Sequence, residues 1–170
     1  MGTFTTKTEQ LTQEKVNGYL GKVKGALDDS NAVTSGQGLL RQLEGSDFNY
    51  TIQKGRNRFE PSSVARAGLA LQAPSMAAMA GSGGDIFWKP GTSNSGPNQL
   101  GNTARPSFIG LTHELGHASM AEQGRKDFLF FAPGHADPNL SRVTNDEFNA
   151  VHIENHLPYY HNDPITAVGM

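Results

Sequence analysis

The chain has 170 residues, 36% of them apolar and 18% charged, with 20 glycines and 9 prolines; both shares are low, so one modest core is wrapped in turn and loop, with no room for a second. Fourteen basic against 16 acidic residues leave a formal charge of -2, which provides no basic excess for nucleic acid. The absence of cysteine excludes disulfides, thiolate nucleophiles and Cys-bound metal clusters, so any metal must be held by His, Asp, Glu or carbonyl oxygen.

In chain order, residues 8–28 place Leu11, Val16, Tyr19, Leu20, Val23 and Leu27 at helical intervals and predict an amphipathic helix. A second short helix is expected over 37–44, ended by Gly45. Phe48 to Lys54 alternates as a strand does. A polar stretch with Arg56, Arg58 and Arg66 follows. Residues 64–80, rich in Ala and Met, fit either a small buried helix or a mobile segment. Asp85 to Lys89 reads as a strand of about five residues between breakers. Residues 91–107 are rich in Gly, Pro, Ser and Asn and read as loop, and the stretch from Gly91 to Arg105 is long enough to act as a lid or specificity loop.

Ser107 to Gly124 is a helix pattern, with start signals at Pro106 and Ser107 and a stop at Gly124. Phe128 to Phe131 is an apolar cluster within a loop. The last helix spans 144–157, with Thr144 as N-cap, Glu147 three residues on as a possible capping box, and Pro158 as its end. No repeat occurs. The expected organisation is one domain over 1–170: an N-terminal helical segment to residue 45, small sheet and loops over 46–106, and helices over 107–124 and 144–157. No run of apolar residues is long enough to span a bilayer, and the first residues lack the apolar core of a secretory signal.

The chemistry concentrates at His113-Glu114-Leu115-Gly116-His117. Positions i and i+4 of a helix share one face, so the two imidazoles can direct nitrogens at one metal ion. Glu114 is offset from that stripe, where its carboxylate meets an attacking water rather than the metal. This is the HExxH arrangement of zinc peptidases. Zinc accepts nitrogen and oxygen donors in tetrahedral geometry and lowers the pKa of a bound water toward about 7. Met120 and Gln123 exclude the metzincin extension of the motif.

A third ligand must come from further along, from among His135, Asp137, Glu147, His152, Glu154 and His156. Glu147 is preferred, on a predicted helix 30 residues beyond His117; Glu154, two turns later on nearly the same face, is the alternative ligand or a supporting group. His135 lies in a turn-rich stretch where ligands also occur. Tyr159 or Tyr160 is a candidate hydrogen-bond donor to the tetrahedral intermediate, against the plainer role of packing the tail. The sheet is expected to be small, two or three strands, with an edge that takes an extended substrate by strand addition. Trp88 and Phe87 are either floor of the site or plain core.

THELGHA at 112–118 with DEFNAVHIEN at 146–155 resembles the M91 family of zinc metallopeptidases, bacterial effector and toxin peptidases, over residues 84–157. The resemblance implies an α+β, zincin-like domain with a short twisted sheet packed on the HExxH helix. It implies Zn2+ held by His113, His117 and Glu147, with Glu114 as catalytic base. It also implies a protein or peptide substrate and secretion or delivery into a target cell without a classical signal peptide; a peptidase domain this small with no visible pro-segment is further expected to need either export or an immunity or inhibitor protein in its producer. No nucleic-acid or membrane partner is expected, and the expected state is a monomer. The competing readings are a zinc amidohydrolase acting on a non-protein amide and a non-catalytic zinc-stabilised binding domain. One departure is plain: where family members carry arginines after the Glu-Asn pair, this chain continues HLPYYHNDP and has no arginine beyond Arg142.

Overall fold

The computed structural model describes residues 4–7, 13–91, 106–130 and 143–155. Within these, β1 (Phe4–Lys7), β2 (Tyr50–Lys54), β3 (Arg58–Pro61) and β4 (Gly84–Trp88) form one sheet in the order β1-β2-β4-β3. β1 runs parallel to β2 and β2 to β4, while β3 is antiparallel to β4 at an edge. Side chains alternate along a strand, and here Tyr50, Ile52, Phe59, Ile86 and Trp88 turn to one buried face, with Ile52 opposite Ile86. Phe87 points the other way and lies half-exposed beneath the Arg58 guanidinium, 3.6 Å from its ring centre.

The sequence pattern led to two or three strands, and the sheet has four. The polar stretch after β2 contains β3, whose only buried residue is Phe59, flanked by Arg58 and Glu60. β1 is four residues long and lies in the segment expected to be purely helical. Neither carries a run of alternating apolar residues from which a strand can be read.

The buried sheet face is covered by helices. α1 (Gln13–Asn31) turns Tyr19, Val23, Ala26 and Ser30 inward, and α2 (Thr34–Glu44) turns Leu39, Leu40 and Leu43. Residues 64–80 resolve into two single turns, α3 (Val64–Ala67) and α4 (Leu69–Gln72), and a 3-10 turn at Pro74–Met79. α5 (Ser107–Glu122) is buried on nearly every side, with Ile109, Leu111 and Leu115 fully inside. At about 1.5–3 kcal/mol per buried aliphatic side chain, packing rather than propensity holds it. It stops as expected near Gly124, whose φ of +67° is a conformation suited to glycine.

Three polar contacts fix α5. Trp88 Nε1 donates to the Ser107 carbonyl at 3.0 Å, placing Trp88 as a core residue that also anchors the helix start. The Ser30 and Thr112 hydroxyls meet at 2.7 Å and join α1 to the middle of α5. Gln42 donates to Glu122 Oε2 at 2.7 Å and accepts from Ser119 Oγ at 2.8 Å, joining α2 to its end.

α6 (Asn145–Asn155) packs on α5 at Gly116. A Cβ built on Gly116 meets Ile153 Cδ1 at 3.4 Å and Ala150 Cα at 3.7 Å, which is ordinary contact. Gly116→Ala should therefore fold normally and gain about 0.5–1 kcal/mol from helix propensity. Gly116→Leu should force the helices apart and lower stability by at least about 1–3 kcal/mol. Thermal unfolding of the two variants checks both; a destabilised alanine variant would mean the helices pack closer than this geometry.

Candidate metal centre

His113 and His117 stand one turn apart on α5, ring centres 4.8 Å apart and nearly perpendicular. Their Nε2 atoms converge to 3.2 Å. α6 brings Glu147 across them: Oε1 is 3.3 Å from His113 Nε2 and Oε2 is 3.3 Å from His117 Nε2. The three donor groups lie within 4.8 Å of one another. A tetrahedral zinc site with bonds of about 2.0–2.2 Å has edges of about 3.3–3.6 Å. Each imidazole Nε2 has one of the two carboxylate oxygens at such a distance, and the set of two nitrogens and one carboxylate is one that zinc takes. The donors present fit a metal of that kind.

The local sequence explains how Glu147 comes to face this way. Thr144 Oγ1 accepts from the Glu147 amide at 3.2 Å, so the N-cap half of the expected capping box forms. The other half is replaced, because both oxygens of Glu147 are turned to the imidazoles. The helix start is tied down from outside by the preceding loop. The Asn145 amide donates to the Leu129 carbonyl at 2.8 Å, the Asp146 amide to the Asp127 carbonyl at 3.0 Å, and Asn145 Nδ2 to Asp127 Oδ2 at 2.8 Å.

Two residues join the site that their sequence context did not point out. Asp146 Oδ2 lies 2.7 Å from His117 Nδ1, placing the ring proton on Nδ1 and leaving Nε2 as the free donor atom. Lys126, buried beside it, ion-pairs with the same oxygen. Asp146 stands in the acidic pair with Glu147, and the adjacency was its only signal. Lys126 had none.

The electrostatics follow from burial and contact. Glu114 is 5% exposed, and burial pushes its carboxyl up from the usual range, only partly offset by the two imidazoles. Burial alone pulls His117 down, but its hydrogen bonds to Asp146 and Glu147 outweigh it and the net shift is upward. For Asp146, burial pushes up while His117 and Lys126 pull down more strongly, and the group ends lowered. The imidazole contacts hold Glu147 far below ordinary carboxylates.

Of the other expected groups, His152 lies on the exposed face of α6, outside the donor cluster, while the side chain of Glu154 in the last turn of α6 lies outside the described ones. His135, Asp137, His156, Tyr159 and Tyr160, and the candidate lid at 92–105, lie outside the described residues.

The raised His117 has a consequence for the metal-free protein. Its contribution to stability is complete below the unfolded value of about 6.5 and is lost as pH rises through the higher folded value. In chelator, the melting temperature should fall between pH 6 and pH 8, and the slope should flatten in His117→Phe. An equal slope in both would place the linkage elsewhere.

A family model described as "Effector protein", that of the M91 peptidases, matches residues 7–165. No curated protein and no solved structure matches the chain. The match covers nearly the whole chain and takes in both helices that carry the convergent donors, and on that basis the chain belongs to the M91 effector peptidase family.

Proposed function

We propose that this effector peptidase domain is a zinc endopeptidase that hydrolyses proteins of a cell other than its producer. The observation that carries the reading is the convergence of one donor atom each from His113, His117 and Glu147 to within 4.8 Å of one another beside the buried Glu114. Zinc, when bound by these three residues, supplies Lewis acidity that brings the pKa of water from about 15.7 toward 7.

The chain's own residues do the rest. Glu114 accepts the proton of the attacking water and hands it to the departing amine. Its raised affinity for protons, a result of burial, suits a group that must hold and then release one near neutrality. Asp146 keeps His117 in the tautomer whose Nε2 is free. β3, an edge strand antiparallel to its neighbour, offers main-chain groups to an extended substrate. By their chemistry, Tyr159 or Tyr160 is assigned the role of donor to the developing oxyanion, Glu154 that of support for the ligand set, and His135 a role toward substrate.

The partners that follow are a protein or peptide substrate and, in the producer, an inhibitor or immunity protein. No described helix is long and apolar enough to cross a membrane. Delivery into the target cell fits the effector class of the family. The domain is proposed to act as a single unit over 1–170, as a monomer.

Wild type, Glu114→Gln and His113→Ala compared on one cleavable peptide test the mechanism. Glu114→Gln should retain one zinc and a near-native melting temperature while losing at least about 100-fold in rate. His113→Ala should lose metal, activity and stability together. Full activity in Glu114→Gln removes it as the base. Zinc in wild type with no cleavage of any peptide in a broad library, but turnover of small non-peptide amides, moves the substrate class.

A further inference from the structure

Among the described residues, Lys126 is the one lysine or arginine that is buried. It is 7% exposed, although an ammonium is strongly hydrated and is rarely buried without a partner. Its Nζ pairs with Asp146 Oδ2, the same oxygen that accepts from His117 Nδ1 at 2.7 Å. It lies 3.5 Å from His117 Nδ1 itself. The rings of Phe59 and Phe128 flank it at 5.6 Å each, cation-π contacts that hold the ammonium from the sheet side and the loop side. Its backbone is fixed as well, the amide donating to the Ala67 carbonyl at 2.8 Å.

The orientation of Asp146 depends on this lysine. Asp146 Oδ1 is buried with no hydrogen-bond partner, so nothing holds the carboxylate from that side. Only Oδ2 is engaged, by Lys126 and His117 together. A carboxylate oxygen held by a single imidazole could swing with the ring; the ammonium grips the same Oδ2 from a second direction and fixes where it sits. We propose that Lys126 is a positioning residue for His117, acting through Asp146 to keep its ring turned so that Nε2 faces His113 and Glu147. The inference rests on the zinc reading above, and it assigns Lys126 no contact with substrate.

The test compares wild type, Lys126→Met, Asp146→Leu and the double variant, with Gln42→Ala as a control that weakens the fold at the far end of α5. Two quantities are read: zinc affinity by competition with a chelator, and the His117 tautomer in metal-free protein by long-range nitrogen NMR, at a pH above its raised folded value where the ring is neutral. Groups that orient metal-binding histidines typically change affinity by about 10–100-fold when removed. Lys126→Met should weaken zinc about 10-fold and broaden or abolish the single tautomer. Asp146→Leu should do at least as much. The double variant should be no weaker than Asp146→Leu, because groups acting along one path are not additive. Gln42→Ala should lower the melting temperature and leave both readouts unchanged.

Wild-type affinity and tautomer in Lys126→Met overturn the proposal, as do losses that add in the double variant. If Lys126→Met is too unstable to measure, the double variant, with neither buried charge, decides against Asp146→Leu: equal affinities support the proposal and a further loss overturns it. If wild type itself fails to bind zinc, the functional reading falls. The tautomer comparison, made without metal, then still decides whether Lys126 orients His117.

Discussion

Glu147 reaches the two imidazoles because α6 lies close against α5 at Gly116, where there is room for little more than a methyl group between the helices. The donors are local on α5, fixed by one helical turn, but the carboxylate comes from 30 residues further on. Close approach is therefore the condition for the site. Ala150, fully buried in the contact, meets it from the other side, and the small residues let Ile153 fill the remaining space. The loop at Asp127–Leu129 sets where α6 begins, so depth along α5 and rotation of α6 are fixed by different groups.

This arrangement needs α5 to be a fixed frame. The helix is almost wholly internal, and apart from Glu114 the polar groups it carries inward are answered: Thr112 by Ser30, Ser119 and Glu122 by Gln42, His117 by Asp146. Unanswered, such groups would each be costly to bury. The answers come from α1, α2 and α6, which surround α5 on separate sides. The same contacts that make burial tolerable also set its rotation, and with it the direction of both imidazoles.

The parts legible in the sequence were those with a short period. The His113–His117 spacing, the N-cap at Thr144, the stop at Gly124, and the cores of β2 and β4 each declare themselves within a few residues. Glu147 was legible because a carboxylate on a later helix is what a two-histidine pair lacks. β1 and β3 were hidden, since each is defined by its neighbour rather than by its own pattern. Asp146 and Lys126 were hidden for a related reason. A partner of an imidazole ring is selected by three-dimensional proximity, and a lone Lys between Arg125 and Asp127 looks like a solvated charge. Residues 64–80 resolved into three short turns because Gly68 and Pro74 interrupt any longer helix.

The first turn of α6 carries both Asp146 and Glu147, so the two carboxylates travel together. α6 leans on α5 and on the loop before it, whereas α5 is held from several sides. Proteins open locally in contiguous cooperative units. An opening of α6 as such a unit would strip the site of a donor and of the group that orients a second in one event, leaving the histidine pair standing on an intact helix. Amide exchange in α6 and metal release would then share one opening equilibrium, with the rest of the fold as spectator.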